Sequence, residues 1–458
     1  MKKEWRKTMR KKIISTLLCV TMVSLIFAGC GAKNNKKTKE TASGKVYFLN
    51  FKPEIADAYV ELMKEYTKET NVEAKVVTVA DNQYESTLKV EMAKSDAPTI
   101  FTINGYVGYD VWKDRCENLK DTKFYSLLSD KKMAIVDGDG VYAIPLMQES
   151  YGIICNKKIF NAYFGLEERD DDTGCNAIED INSFEKLKAV TEDMQDHKEE
   201  LGIDGAFSEI ALNSTNNWRI TNHLFCMPLY YEYNDAGVED KEEIQFSYAD
   251  KYKNMLDLYL DNSVLPREEA ESGTVEGSMA EFTTGKSAMV QNGTWSWGEQ
   301  INVEGSVISP DDLYYMPIYI GTNGEEKQGL CTGTENYIAI NSKASKEDIK
   351  ASEDFLEWLY TSDKGKEFVS THFGVAPFEE FDNQKASESN PLVKLALEDS
   401  KNPDTVTVDW VFNTIPSQNW KDALGTDLLS YALGKTDWNT VVNNAKQNWI
   451  SEKMQAEQ

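Results

Sequence analysis

The sequence predicts an α/β fold in two lobes, and three observations lead there. Short β-prone runs alternate with helical stretches at the start of the folded part, the same alternation returns in the middle, and the chain is too long for one core. Domains run to roughly 150 residues, whereas about 415 residues follow the polar stretch that ends at Gly44, enough for two or three cores.

Lys45–Leu49 is the first apolar, β-prone run, and Asn50–Glu54 turns it into a helix expected from about Ile55 to Glu69. Val72–Val79 alternates as a second strand and is followed by a helix from about Gln83 to Ala93. Pro98 introduces a third strand, Thr99–Ile103, which ends in Asn104-Gly105-Tyr106. Strand–helix alternation argues for a parallel sheet, whose ligands gather at the carboxyl ends of the strands. Asn50, Asn104 and Tyr106 all lie at such ends and are candidate ligand contacts.

Further on, Asp137-Gly138-Asp139-Gly140 sits between two apolar runs and predicts a tight hairpin. Gly152–Cys155 reads as a strand, Ser183–Asp196 as a helix capped by Ser183, and Tyr248–Asn262 as another helix, so a second sheet is expected. Asp170-Asp171-Asp172-Thr173-Gly174 lacks the spacing of a calcium loop and reads as a solvated acidic loop.

The N-terminus reads as an export signal: Lys2 to Lys12 form a basic head, Ile13–Ala28 an apolar run, and Ala28-Gly29-Cys30-Gly31 a small-residue cleavage site. The segment resembles the lipobox of bacterial lipoproteins, with Phe27 where that motif usually carries Leu. Residues 1–29 would be removed, Cys30 would carry acyl chains, and residues 30–44 would form a polar tether to the membrane. The alternative is an uncleaved anchor, since the apolar run approaches the 17–25 residues or so of a span.

The formal net charge is −27, which repels nucleic acid and anionic headgroups and favours a soluble monomer. Ten Trp and twenty-two Tyr, several of them beside Asn and Gly, suit a cleft for a neutral ligand with polar edges and apolar faces. Cys116, Cys155, Cys175, Cys226 and Cys331 are an odd set without metal spacing and read as apolar fillers. His197, His223 and His372 are the only histidines, and no zinc-protease, serine-hydrolase or phosphate-loop motif occurs, so no catalytic residue, metal or cofactor is expected.

Four separated segments point to one family: Gly140–Pro145 with Glu149–Lys157; Phe282–Met289 with Asn292-Gly293-Thr294-Trp295; Tyr337–Asn341; and Ala351–Tyr360. Together they resemble the carbohydrate-type extracellular solute-binding proteins of ABC importers, the maltose-binding group. The resemblance implies a two-lobed periplasmic-binding-protein-like fold with interlobe crossing strands and a hinge. The first crossing is expected near Gln148–Tyr151 and the second near Ile320–Gly329. Lobe 1 would then comprise 45–149 and 321–377, and lobe 2 150–320 and 378–458.

A sugar needs planar hydrogen-bonding groups for its edges and aromatic platforms for its faces. Trp295 matches the stacking position of the family, Glu149 a hinge-side acceptor of sugar hydroxyls, and Trp410 or Trp420 a second platform, only one of which need face the cleft. Trp218, in Asn216-Asn217-Trp218 near His223, adds a polar-aromatic group, and Thr334 a hydroxyl past the second crossing. The ordinary alternatives are core aromatics, an exposed carboxylate and a glycine turn. The implied function is a lipid-anchored receptor that carries a carbohydrate to ABC permease subunits. Rival readings are a lipid-anchored glycoside hydrolase, or the same fold holding a peptide, polyamine or modified amino acid.

Overall fold

The computed structural model describes residues 44–456 except 80–82, 170–172, 380 and 382. The signal segment, Cys30, most of the tether and the Asp170–Asp172 loop lie outside the described residues. Among those described, no helix is long and apolar enough to cross a membrane.

Twelve described strands form two sheets: β1 (Lys45–Asn50), β2 (Glu73–Thr78), β3 (Ile100–Asn104), β4 (Ile135–Asp137), β5 (Gly140–Pro145), β6 (Glu149–Asn156), β7 (Gly205–Phe207), β8 (Ser287–Gly293), β9 (Leu313–Met316), β10 (Gln328–Gly333), β11 (Asn336–Ile340) and β12 (Val406–Asp409). The first sheet has the order β2-β1-β3-β11-β5-β4; the second has β12-β10-β6-β8-β7, with β9 also on β6. Neither sheet is purely parallel. In the first, β2-β1-β3 is parallel as expected, but β11 runs antiparallel to β3 because it arrives from the other sheet through a short link and not through a helical crossover.

Each sheet is covered on both faces, so its central strands, such as β6 and β8, are buried along their whole length. One face of the first sheet buries Phe48 and Ile338 against Tyr59, Met63 and Phe355 of helices Ala56–Thr70 and Lys346–Thr361; the other buries Leu49, Phe101 and Ile103 with Trp112. In the second sheet, the pleat of β6 sends Tyr151, Ile153 and Cys155 into one core and Ile154 into another. Local signals act where the sequence places them. The Ser183 hydroxyl accepts from Lys186 N at 3.3 Å to cap helix Phe184–Asp196. Gly138, at φ +56°, turns β4 into β5. The five described cysteines are buried and unbridged.

The chain changes sheet between Pro145 and Glu149 and returns between Gly333 and Asn336. This second passage corrects the expectation of a crossing near Ile320–Gly329. β10 belongs to the second sheet, antiparallel to β6 and parallel to β12. The loop before it folds onto the same lobe: Glu325 accepts from Gly321 N and Phe184 N, and Gln328 Nε2 donates to Ile318 O. A third passage runs through helix Asn383–Ser389, after which helix Pro391–Lys401 packs on β9 and β10.

Candidate ligand-binding cleft

The carboxyl end of β3 and Phe51, just past β1, face residues 217–222 and the start of helix Gln418–Ala432 across a cleft. Both lobes line it, the first through Asn104 and Glu335, the second through Trp218, Asn222 and Lys421.

Beside the cleft, at the hinge, lies a buried ion pair. Lys52 Nζ stands 2.8 Å from both carboxylate oxygens of Glu149, the first residue of β6, and 3.4 Å from Glu54. Burial alone would favour a neutral amine, but the Glu149 and Glu54 charges outweigh it and hold Lys52 protonated. The same ammonium lies 5.7 Å over the Trp295 ring, a cation–π distance. Asn50 fixes the approach: its Oδ1 accepts from Lys52 N at 3.0 Å, and its Nδ2 donates to Lys52 O at 2.8 Å and Thr78 Oγ1 at 3.0 Å. Asn50 is therefore fully buried with its amide spent on a turn, which corrects its assignment as a ligand contact. Glu149, expected to accept sugar hydroxyls, turns both oxygens to Lys52.

Behind the hinge lies an aromatic cup. His223 stacks on Tyr151 with ring centres 4.1 Å apart and planes 10° off parallel; Trp218, Trp295, Phe412 and Trp410 surround it at 5.1, 5.3, 5.5 and 6.0 Å. His223 is carried by the π-helical turn Arg219–Leu224, a wide turn that often marks functional sites. Burial first, then the charges of Lys421, Arg219 and Lys52, hold the imidazole neutral, far below its ordinary range. Underneath, fully buried Arg219 pairs with Glu209 at 3.0 Å and donates to Gln291 O at 3.2 Å. Burial raises the Glu209 carboxyl to about 7 against the pull of Arg219.

Trp410, at the end of β12, belongs to the cup. Trp420 does not: it is 1% exposed, donates from Nε1 to Ala445 O at 2.9 Å and packs edge-on against Trp449, so its assignment as a platform is corrected to core. Tyr106 is corrected as well. It is 53% exposed, its hydroxyl accepts from Val136 N, and it does not line the cleft.

Several polar atoms around the cleft are buried without a hydrogen-bond partner among the described residues: Thr102 Oγ1, Asn104 Oδ1, Asn222 Oδ1, His223 Nδ1, Thr334 Oγ1 and Trp410 Nε1. The Asn104 amide is oriented by donation to Glu335 Oε1 at 3.2 Å, which leaves its Oδ1 as a pure acceptor. Orphaned buried groups cost roughly 1–3 kcal/mol each, and a hydroxylated ligand would satisfy them. Sequence reading missed Lys52, Asn222 and Lys421, because nothing distinguishes one Lys or Asn among many until the fold buries it.

A fold of two α/β lobes with a polar and aromatic cleft between them is that of extracellular solute-binding receptors. The chain belongs to the bacterial extracellular solute-binding protein family, whose model matches residues 61–395. It is 24% identical over 149 residues to the melibiose/raffinose/stachyose-binding protein MelE of Bacillus subtilis (strain 168); the match covers 32% of this chain and about a third (35%) of that relative's length. Among solved structures it is similar to a chitin oligosaccharide binding protein (TM-score 0.69, 17% identity, 90% of this chain and 99% of the other). It is also similar to the solute-binding protein RafE in complex with raffinose (TM-score 0.66, 16% identity, 89% and 99%). These likenesses establish the fold.

Proposed function

We propose that this protein is a lipid-anchored receptor that captures an oligosaccharide or related polyhydroxylated solute between its lobes and delivers it to an ABC permease. The observation that carries this reading is Trp218 beside the orphaned polar atoms of Asn104 and Asn222 in the cleft, with Trp295 and Trp410 of the aromatic cup behind it. Flat faces and hydroxyl-satisfying edges in one cleft are what a sugar requires. The names of the relatives, several of them sugar-binding proteins, support the same class. Ligand binding would shift an equilibrium between open and closed lobes, and no bond need break. Cys30 would hold the acyl chains and the tether would keep the lobes near the permease as a monomer.

A thermal-shift screen tests it, since a ligand that binds only the native state raises stability by RT ln(1 + [L]/Kd). The set comprises raffinose, stachyose, maltose and chito-oligosaccharides beside amino acids, peptides and polyamines. A rise confined to saccharides, which are recovered intact, supports the receptor. A response confined to peptides or polyamines, or release of hydrolysis products, overturns it.

A further inference from the structure

Lys421 is the anomaly of the cleft. It lines the cavity on the second lobe, is only 8% exposed, and among the described residues no carboxylate pairs with its amine. It also stands in the first turn of helix Gln418–Ala432, a turn with no acidic residue, where the positive end of the helix dipole opposes a cation. Lack of a partner and the dipole both work against this lysine, and a residue that breaks local rules in two ways marks function more often than stability.

Packing fixes its place. Gly425, one turn further along the same helix face, lies so close to Asn217 that a Cβ there would collide with the Asn217 amide, and Asn217 leads into the turn that carries His223. Lys421 thus sits against the aromatic cup, and its charge is felt at the His223 ring together with those of Arg219 and Lys52. At the helix start, Ser417 Oγ accepts from Trp420 N at 3.1 Å. Gln418, the first helical residue, also lines the cleft. A lysine without a carboxylate partner, at the start of a helix whose cap takes only the Trp420 amide, makes this wall a receptor for negative charge.

The opposite wall has the reverse character. Glu335 accepts from Asn104, whose Oδ1 is a bare acceptor. Burial raises the Glu85 carboxyl, which accepts from Trp112 Nε1 at 3.3 Å. The chain's overall charge of −27 does not decide between the walls, because exposed charges are screened beyond roughly 8 Å at physiological salt.

We infer that the ligand is an acidic saccharide, its carboxylate held by Lys421 at the start of helix Gln418–Ala432 and its hydroxyls donated to Asn104 and Glu335. The inference rests on the sugar-receptor reading and narrows it to saccharides containing a uronic acid.

Calorimetric titration of the full chain with matched pairs tests it: di- and trisaccharides of galacturonic or glucuronic acid, their neutral galactose and glucose counterparts, and a sugar phosphate. At least one acidic member should bind ten-fold or more tightly than its neutral counterpart. That ratio should fall as salt rises, collapse toward one in Lys421→Met and persist in Lys421→Arg. Neutral members that bind as tightly as every acidic one overturn the inference while leaving the sugar receptor intact, and so does a preference for the sugar phosphate over all carboxylates. Binding of non-saccharides alone removes the receptor reading itself.

Discussion

Lys52 and Glu149 form a two-pronged ion pair, 2.8 Å on each side, at the point where the chain passes from one sheet to the other. Lys52 follows β1 of the first lobe, and Glu149 opens β6 of the second beside Gly333, the last residue before the return passage. The pair therefore joins the lobes at both crossings. Removing one partner strands a buried charge: Lys52→Met or Glu149→Gln should each lower unfolding free energy by about 3–5 kcal/mol in urea titration, and the double variant should recover much of that loss. Additive losses would mean that the two residues act independently.

Trp295 and Trp420 should separate binding from stability. Trp295 is half-buried in the cup with Lys52 over its face, whereas Trp420 is enclosed by Phe225 and Trp449. Trp295→Ala should weaken saccharide binding by more than about 1.5 kcal/mol, roughly ten-fold, with a modest change in melting temperature. Trp420→Ala should cost about 3–5 kcal/mol of stability, and its folded fraction should bind normally. Calorimetry and denaturant melts on the two variants give both numbers.

Gly293 gives a subtler test of the same platform. A Cβ at this last residue of β8 would collide with the Trp295 ring, which must then swing away. Gly293→Ala should leave the far-ultraviolet spectrum unchanged while weakening saccharide binding several-fold. Unchanged affinity would show that the ring orientation does not matter.

How far the sequence could be read depends on the range of the interaction. Ser183 as a cap and Gly138 in a hairpin act over a few residues, and both stand where their local chemistry puts them. β10 was placed in the wrong lobe because an apolar strand does not reveal its partner; only pairing with Glu149–Tyr151, far away in sequence, assigns it to the second sheet. Trp410 and Trp420 flank one Asn-rich segment and look equivalent, yet one follows a strand and the other lies on the buried face of a helix. Asn50 had the right strand end but the wrong role, since its amide was claimed by the turn that aims Lys52. Lys421 was invisible because an unpaired cation is defined by what surrounds it.

The proposed lipid anchor has its own test. Cys30→Ser removes the thiol that acylation needs, so the protein should move from the membrane pellet to the soluble fraction of an expressing bacterium. One acyl chain alone binds only marginally, so stable retention of the native protein calls for more than one chain. Continued pelleting of the variant would favour an uncleaved apolar segment as the anchor.

Glu209 should write a pH dependence into the second lobe. Burial raises its carboxyl from 4.5 to about 7, and Arg219 only partly opposes the shift. The native state then holds this proton more tightly than the unfolded chain, so the associated stability is fully present below about pH 4.5 and is lost as pH rises through about 7. At about 1.4 kcal/mol per pKa unit, the loss is on the order of 3–4 kcal/mol. Glu209→Gln removes the titrating group while keeping an acceptor beside Arg219. Its unfolding free energy should start near that of the native protein, in which Glu209 is also neutral at pH 5, and should decline less between pH 5 and 7, as about pH 7 is where Glu209 titrates. Parallel pH profiles for the two proteins would place the proton elsewhere and leave Glu209 ionised throughout by Arg219.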